Sequence, residues 1–131
     1  MEDWRIKVSV LWLFIAVIMV ASTMLYFLVP GVIDEIRAGK IVGIQAGQEL
    51  LLITAIMYFL IPLVMAVMSL SLKGKANHWS NVIFSIFYTG FILFELIMNI
   101  TTVAYPYVIV MDSSAIVAAV LIVLNTWKSK K

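Results

Sequence analysis

Two acidic residues stand in stretches that are otherwise almost wholly apolar: Glu95 in FILFELIMNI and Asp112 in YVIVMDSSAIV. A carboxylate at the centre of a membrane helix costs about 2.5–3.5 kcal/mol on insertion scales, so a helix that keeps one points to a use for it. Such a group can take up a proton, hold a cation, or bind the polar part of a small amphipathic molecule. Two together can serve as an acid–base pair. Other chemistry is scarce. The chain has no Cys, which excludes disulfides and thiolate metal sites, and its one His is at position 78 in a polar stretch. No nucleophile triad, metal cluster or phosphate-binding loop can be assembled, and no cofactor is expected. Catalysis is the weakest reading.

The elements that must position this pair follow from composition. Of 131 residues, 64% are hydrophobic and 12% charged, far from the roughly 45–50% and 25% of soluble domains. Lipid is therefore the expected solvent. Four apolar runs, at about residues 6–29, 50–72, 79–101 and 107–127, are each long enough to cross a hydrocarbon core about 30 Å thick. The first is too long for a signal peptide and lacks a clean cleavage site, so it reads as an uncleaved span. The fold class expected is all-α: one domain over 1–131, an integral membrane four-helix bundle with antiparallel spans.

The basic residues orient it. Arg5, Lys7, Lys73, Lys75, Lys128, Lys130 and Lys131 fall on one side, against Arg37 and Lys40 on the other. This bias places both termini in the cytoplasm of a cell-membrane, multi-pass protein. Trp4, Trp79 and Trp127 would mark the inner boundary, and Tyr26, Tyr105 and Tyr107 the outer one. The net charge of +2 is spread too thinly for nucleic acid, so the expected partners are the lipid bilayer and, for a transport role, a second copy in a homodimer.

Connections are short except the first outer loop, from Pro30 to about Gln48. There Val32, Ile33 and Ile36 mix with Asp34, Glu35 and Arg37, a pattern for a short amphipathic helix on the outer surface that Gly39 would end. Gly39, Gly43 and Gly47 recur every fourth residue, which suits a flexible loop or a helical extension with a smooth docking face. Pro106 suits the first turn of the fourth span. Pro62, in mid-span two, should kink its helix, as a static bend or as a hinge.

Helical spacing selects the inward faces. Asn81, Ser85, Tyr88, Ile92, Glu95, Asn99 and Thr102 form a stripe on span three. Asp112, Ala115, Ala119 and Thr126 share a face of span four, Ser9, Trp12, Ala16, Met19, Thr23 and Tyr26 one of span one, and Thr54, Tyr58, Met65 and Ser69 one of span two. Counting from the span ends, Glu95 and Asp112 both lie about 8–9 Å below the outer surface. The candidate site is thus an outward-open polar cavity lined by Glu95 and Asp112, with Asn99, Tyr26, Thr23 and Thr54 as candidate ligand- or ion-binding neighbours. Glu49 reads as interfacial. Met24, Met57, Met65, Met68, Met98 and Met111, within the spans, fit core filling better than an adaptable pocket lining. Two adjacent carboxylates out of water would share a proton or hold a cation. Against this stand two plainer readings: interhelical hydrogen-bonding that only fixes packing, and extension of the side chains to the outer interface.

Some short motifs carry a resemblance. Met68-Ser69-Leu70, Lys73 and Asn77-His78-Trp79-Ser80-Asn81, with Leu11-Trp12, Pro30-Gly31-Val32, Glu35-Ile36 and Ala38-Gly39, resemble a small four-helix membrane family of bacteria and archaea known only as a domain of unknown function. The resemblance implies a prokaryotic four-span protein and brings no substrate. Members of that family have an acidic residue near the end of span one, where this chain has Ser22 and Thr23, a departure that weakens a shared acidic site. In architecture alone the pattern is similar to the DoxX-like group. The function expected is binding or transport of a proton, cation or small amphipathic ligand. The alternatives are an accessory membrane subunit, with the Asn77–Asn81 turn or the outer helix meeting a partner, and a lipid-active enzyme.

Overall fold

The computed structural model describes residues 3–41, 44–45, 48–102 and 105–128. Helix α1 runs Asp3–Phe27. The chain then turns at Pro30 and at Gly31, whose φ of 86° suits a residue without Cβ. Helix α2, Val32–Arg37, follows, with Val32 tucked in and Ile33 and Ile36 outward. Gly39, at φ 80°, ends it by donating its N–H to the Ile36 carbonyl at 2.9 Å. The strands β1 (Lys40–Ile41) and β2 (Ile44–Gln45) then pair antiparallel, Lys40 opposite Gln45. The helical alternative for this stretch does not hold over those four residues; Gly43 and Gly47 lie outside the described residues.

Helix α3 spans residues 48–71 and contains one π-helical turn, Ala55–Leu60, between α-helical Gln48–Thr54 and Ile61–Ser71. After extended Leu72, α4 runs Gly74–Thr102 and α5 Pro106–Lys128. Four helices, α1, α3, α4 and α5, are long and apolar enough to cross a membrane. They leave wide apolar flanks uncovered, with Leu28, Val17 and Phe94 each more than 60% exposed. On a water-facing molecule such surface would be prohibitive; against lipid tails it is matched. The protein is therefore read as a multi-pass membrane protein.

Packing around the ring is uneven. Helix α5 lies close against both α1 and α4, and α1 against α3. The close approach of α5 is permitted by Ala115, Ala118 and Ala119, all buried. By contrast α3 and α4, though joined by a short turn, approach least closely. Large side chains fill the wider space. The Trp12 ring stands edge-on to Tyr88 at 6.0 Å and 81°, and Phe91 lies between Tyr58 and Tyr88 at 6.0 and 5.9 Å from their rings.

At one end of the bundle a polar knot ties the helices. Trp12 Nε1 donates to Asn81 Oδ1 at 2.8 Å, and Ser69 Oγ donates to the same oxygen at 3.0 Å. Asn77 Nδ2 donates to the Ser69 and Leu72 carbonyls, and Arg5 donates to the carbonyls of Ser69, Leu70 and Leu72. Thus the open C-terminus of α3 is capped by a cation and an amide from its neighbours. His78 belongs to the first turns of α4, and not to a polar loop. It is nearly fully buried and its ring lies 5.9 Å from that of Trp127. Asn77 and Asn81 are likewise helical and buried, so their side chains lie inside the bundle.

Candidate functional site

The inward faces read from helical spacing are the buried ones. Asn81, Ser85, Tyr88 and Ile92 on α4, and Asp112, Ala115, Ala119 and Thr126 on α5, have almost no exposed surface. This arrangement brings Glu95 and Asp112 within electrostatic reach of one another across the α4–α5 contact. Asp112 is 0% exposed, and both of its carboxylate oxygens are buried without a hydrogen-bond partner. Glu95 is half-buried; its Oε2 also lacks a partner, while the Tyr58 hydroxyl lies close enough to its carboxylate to interact with it. Tyr88 and Tyr107 complete the electrostatic group around the pair.

Asp112 has no exposed surface among the described residues, and Tyr58, Phe91 and Tyr88 pack together on the wide side of the bundle. Two surface hollows lie elsewhere. One of about 460 Å³ lies between α1 and α5, lined by residues such as Leu11, Phe14 and Leu121, and one of about 210 Å³ between α4 and α5, beside Ile86 and Val120. Both are apolar, and neither includes a carboxylate.

The other sequence candidates are placed as follows. Asn99 holds the α4–α5 turn: its Nδ2 donates to the Tyr105 carbonyl at 3.3 Å and its Oδ1 accepts from the Tyr105 N–H at 3.4 Å. Thr23 donates to the Met19 carbonyl of its own helix at 2.9 Å. Tyr26 is half-buried beside Phe27 and within electrostatic reach of Tyr107. Half-buried Thr54 immediately precedes the π turn. Glu49 is exposed. Met19 and Met65 fill the core, whereas Met24 and Met98 face outward.

Tyr58 and Tyr88 are the residues to which sequence reasoning gave a face but no role. The signal was present: both lie on inward faces, and a phenol is the neutral donor that a buried carboxyl requires. The backbone beside them is unusual for a definite reason. The Ile61 N–H bonds the Ile56 carbonyl, five residues back. One residue on, Pro62 has no N–H to give, and its ring would press on the carbonyl four residues back. In the five-residue register the carbonyl deprived of its donor is that of Met57. The Tyr88 hydroxyl donates to that carbonyl at 2.6 Å. The kink expected at Pro62 therefore takes the form of a π turn ahead of it, stitched to α4 by a tyrosine. Turns of this kind often occur at functional sites.

A family model described as a family of unknown function (DUF6326) matches residues 2–131. No curated protein matches the chain. No solved structure matches it either.

Proposed function

The chain belongs to the DUF6326 family of unknown function, and on that premise we propose that it is a small multi-pass membrane protein that binds a proton at a carboxyl pair, half-buried Glu95 and fully buried Asp112. The observation that carries this is Asp112: fully buried, both oxygens without a partner, facing a second acid. An isolated charge in that setting is too costly to keep, so the pair shares a proton between two sets of oxygens. The phenols of Tyr58 and Tyr88 are the local donors. Both termini lie in the cytoplasm in this reading, with the basic residues at the polar-knot end, which puts the acids nearer the outer face.

Infrared difference spectra of the protein in lipid discs, between acid and alkaline buffer, test it. A protonated-carboxyl band should be lost at alkaline pH and be absent from Asp112→Asn. A spectrum without such a band would overturn the reading, and a response to added sodium or calcium instead of pH would replace the proton by a cation.

A second reading has its own support in the approach of Tyr58 to Glu95, which spans the loose contact between α3 and α4. In that reading the acids fix packing, and the protein is an accessory subunit. Its mark would be a stoichiometric partner retained through mild-detergent purification, together with no carboxyl titration.

A further inference from the structure

Pro62 leaves one carbonyl of α3 without a backbone donor whichever register the helix takes. In a regular α-helix it is that of Tyr58, four residues back; in the π turn it is that of Met57, five back. The Tyr88 hydroxyl satisfies the second, and so favours the register in which residues 55–60 form a π turn. That hydroxyl has one proton to donate. It also lies within electrostatic reach of Asp112, whose two oxygens have no partner. A charged carboxylate is a stronger acceptor than a peptide carbonyl, by roughly twofold.

We propose that Tyr88 is a donor shared between Asp112 and the Met57 carbonyl, making residues 55–60 a register switch that responds to the charge on the acid pair. This deepens, and rests on, the proton-binding reading. With Asp112 neutral, Tyr88 bonds Met57, the π turn forms, and Tyr58 is delivered to Glu95, the arrangement described above. With Asp112 charged, Tyr88 turns to it and the Met57 carbonyl takes the Ile61 N–H in ordinary α register. Removing the extra residue from the turn rotates the outer half of α3 by about 100° and shifts it by about 1.5 Å relative to the inner half. The titratable groups within electrostatic reach of Asp112 are Glu95 and Tyr88 from α4, Tyr58 from α3 and Tyr107 on its own helix. From α1, Trp12 packs edge-on against Tyr88 and carries no charge. Among these, only Glu95 brings a second charge, so the pair moves as one unit. A buried acid is thereby coupled to the outward end of a helix with no cavity opening at all.

The chain has no cysteine, so single cysteines at the outward-facing positions Leu52, Ile53 and Ile56 can carry spin labels without background. Accessibility to oxygen in lipid discs, read across the three labels, reports which way the outer half of α3 faces. The expected result is a changed order of accessibilities between acid and alkaline buffer. That change is lost in Asp112→Asn, which stays in the acid pattern, and Tyr88→Phe holds the alkaline pattern throughout. Infrared spectra of the same samples separate the two levels. A carboxyl band that titrates while the label order stays fixed overturns the switch and leaves the proton site standing. No titrating band removes both. A pH response in Asp112→Asn equal to that of the parent protein also overturns the switch, and this arm stands even where Tyr88→Phe fails to fold.

Discussion

Buried polar side chains in this bundle are of two kinds, and their partners tell them apart. Asn81 accepts from Trp12 and Ser69 and donates to Asn77 at 2.6 Å, so every part of its amide is used. Asp112 has no such partners. Interhelical hydrogen bonds in membranes average about 0.6 kcal/mol each. Asn81→Ala should therefore lose about 1–2 kcal/mol in reversible unfolding from mixed micelles, whereas Asp112→Asn should lose nothing measurable. A large loss at Asp112 would move it into the structural class. Glu95→Gln should retain stability, because an amide oxygen still accepts from Tyr58. Glu95→Leu removes the acceptor beside the half-buried Tyr58 hydroxyl and should cost about 1–3 kcal/mol in the same unfolding measurement.

Helix α3 carries the irregularity of the fold, and its two ends are held differently. Its C-terminus receives the Arg5 guanidinium on the carbonyls of Ser69, Leu70 and Leu72. A planar fork with several N–H groups can serve several acceptors, which a single ammonium cannot do with the same geometry. Arg5→Ala should lower stability by about 1–2 kcal/mol and speed amide exchange near residues 72–77. Arg5→Lys should recover only part of the loss. The middle of α3 is held by Tyr88 alone among side chains bonded to the π turn's backbone in the described residues. A π turn could not be read from sequence. Pro62 announces a disturbed turn, but the choice of register depends on a hydroxyl 26 positions further along the chain.

Across the whole molecule, the basic residues that bias orientation gather at one end. The contact of Arg5 with the end of α3 and of His78 with Trp127 shows that the start of α1, the α3–α4 turn and the end of α5 are neighbours. Lys130 and Lys131 lie outside the described residues. Single cysteines at Lys73 and Glu35, challenged with an impermeant thiol reagent on intact cells, should be protected at 73 and labelled at 35. The reverse pattern would invert the bundle and place the acids near the cytoplasm.

Spacing and composition alone determined the four spans and the inward faces. Burial in lipid leaves a polar stripe only one direction to face, and helical period fixes which residues make it. They also placed Tyr58 and Tyr88 inside. Tertiary structure decided the rest. The loose contact between α3 and α4 follows from how four helices of unequal side-chain size share one centre, and no single helix encodes it. Phe91, Tyr58 and Tyr88 fill that gap, and Asp112 is fully buried while Glu95 is half so. Asn99 serves a turn, because only the folded α4–α5 connection brings the Tyr105 backbone to it. The pair of carboxylates was legible as an anomaly; that Asp112 is enclosed, with Tyr58 near Glu95 and Tyr88 bonded to the backbone of α3, is a property of packing.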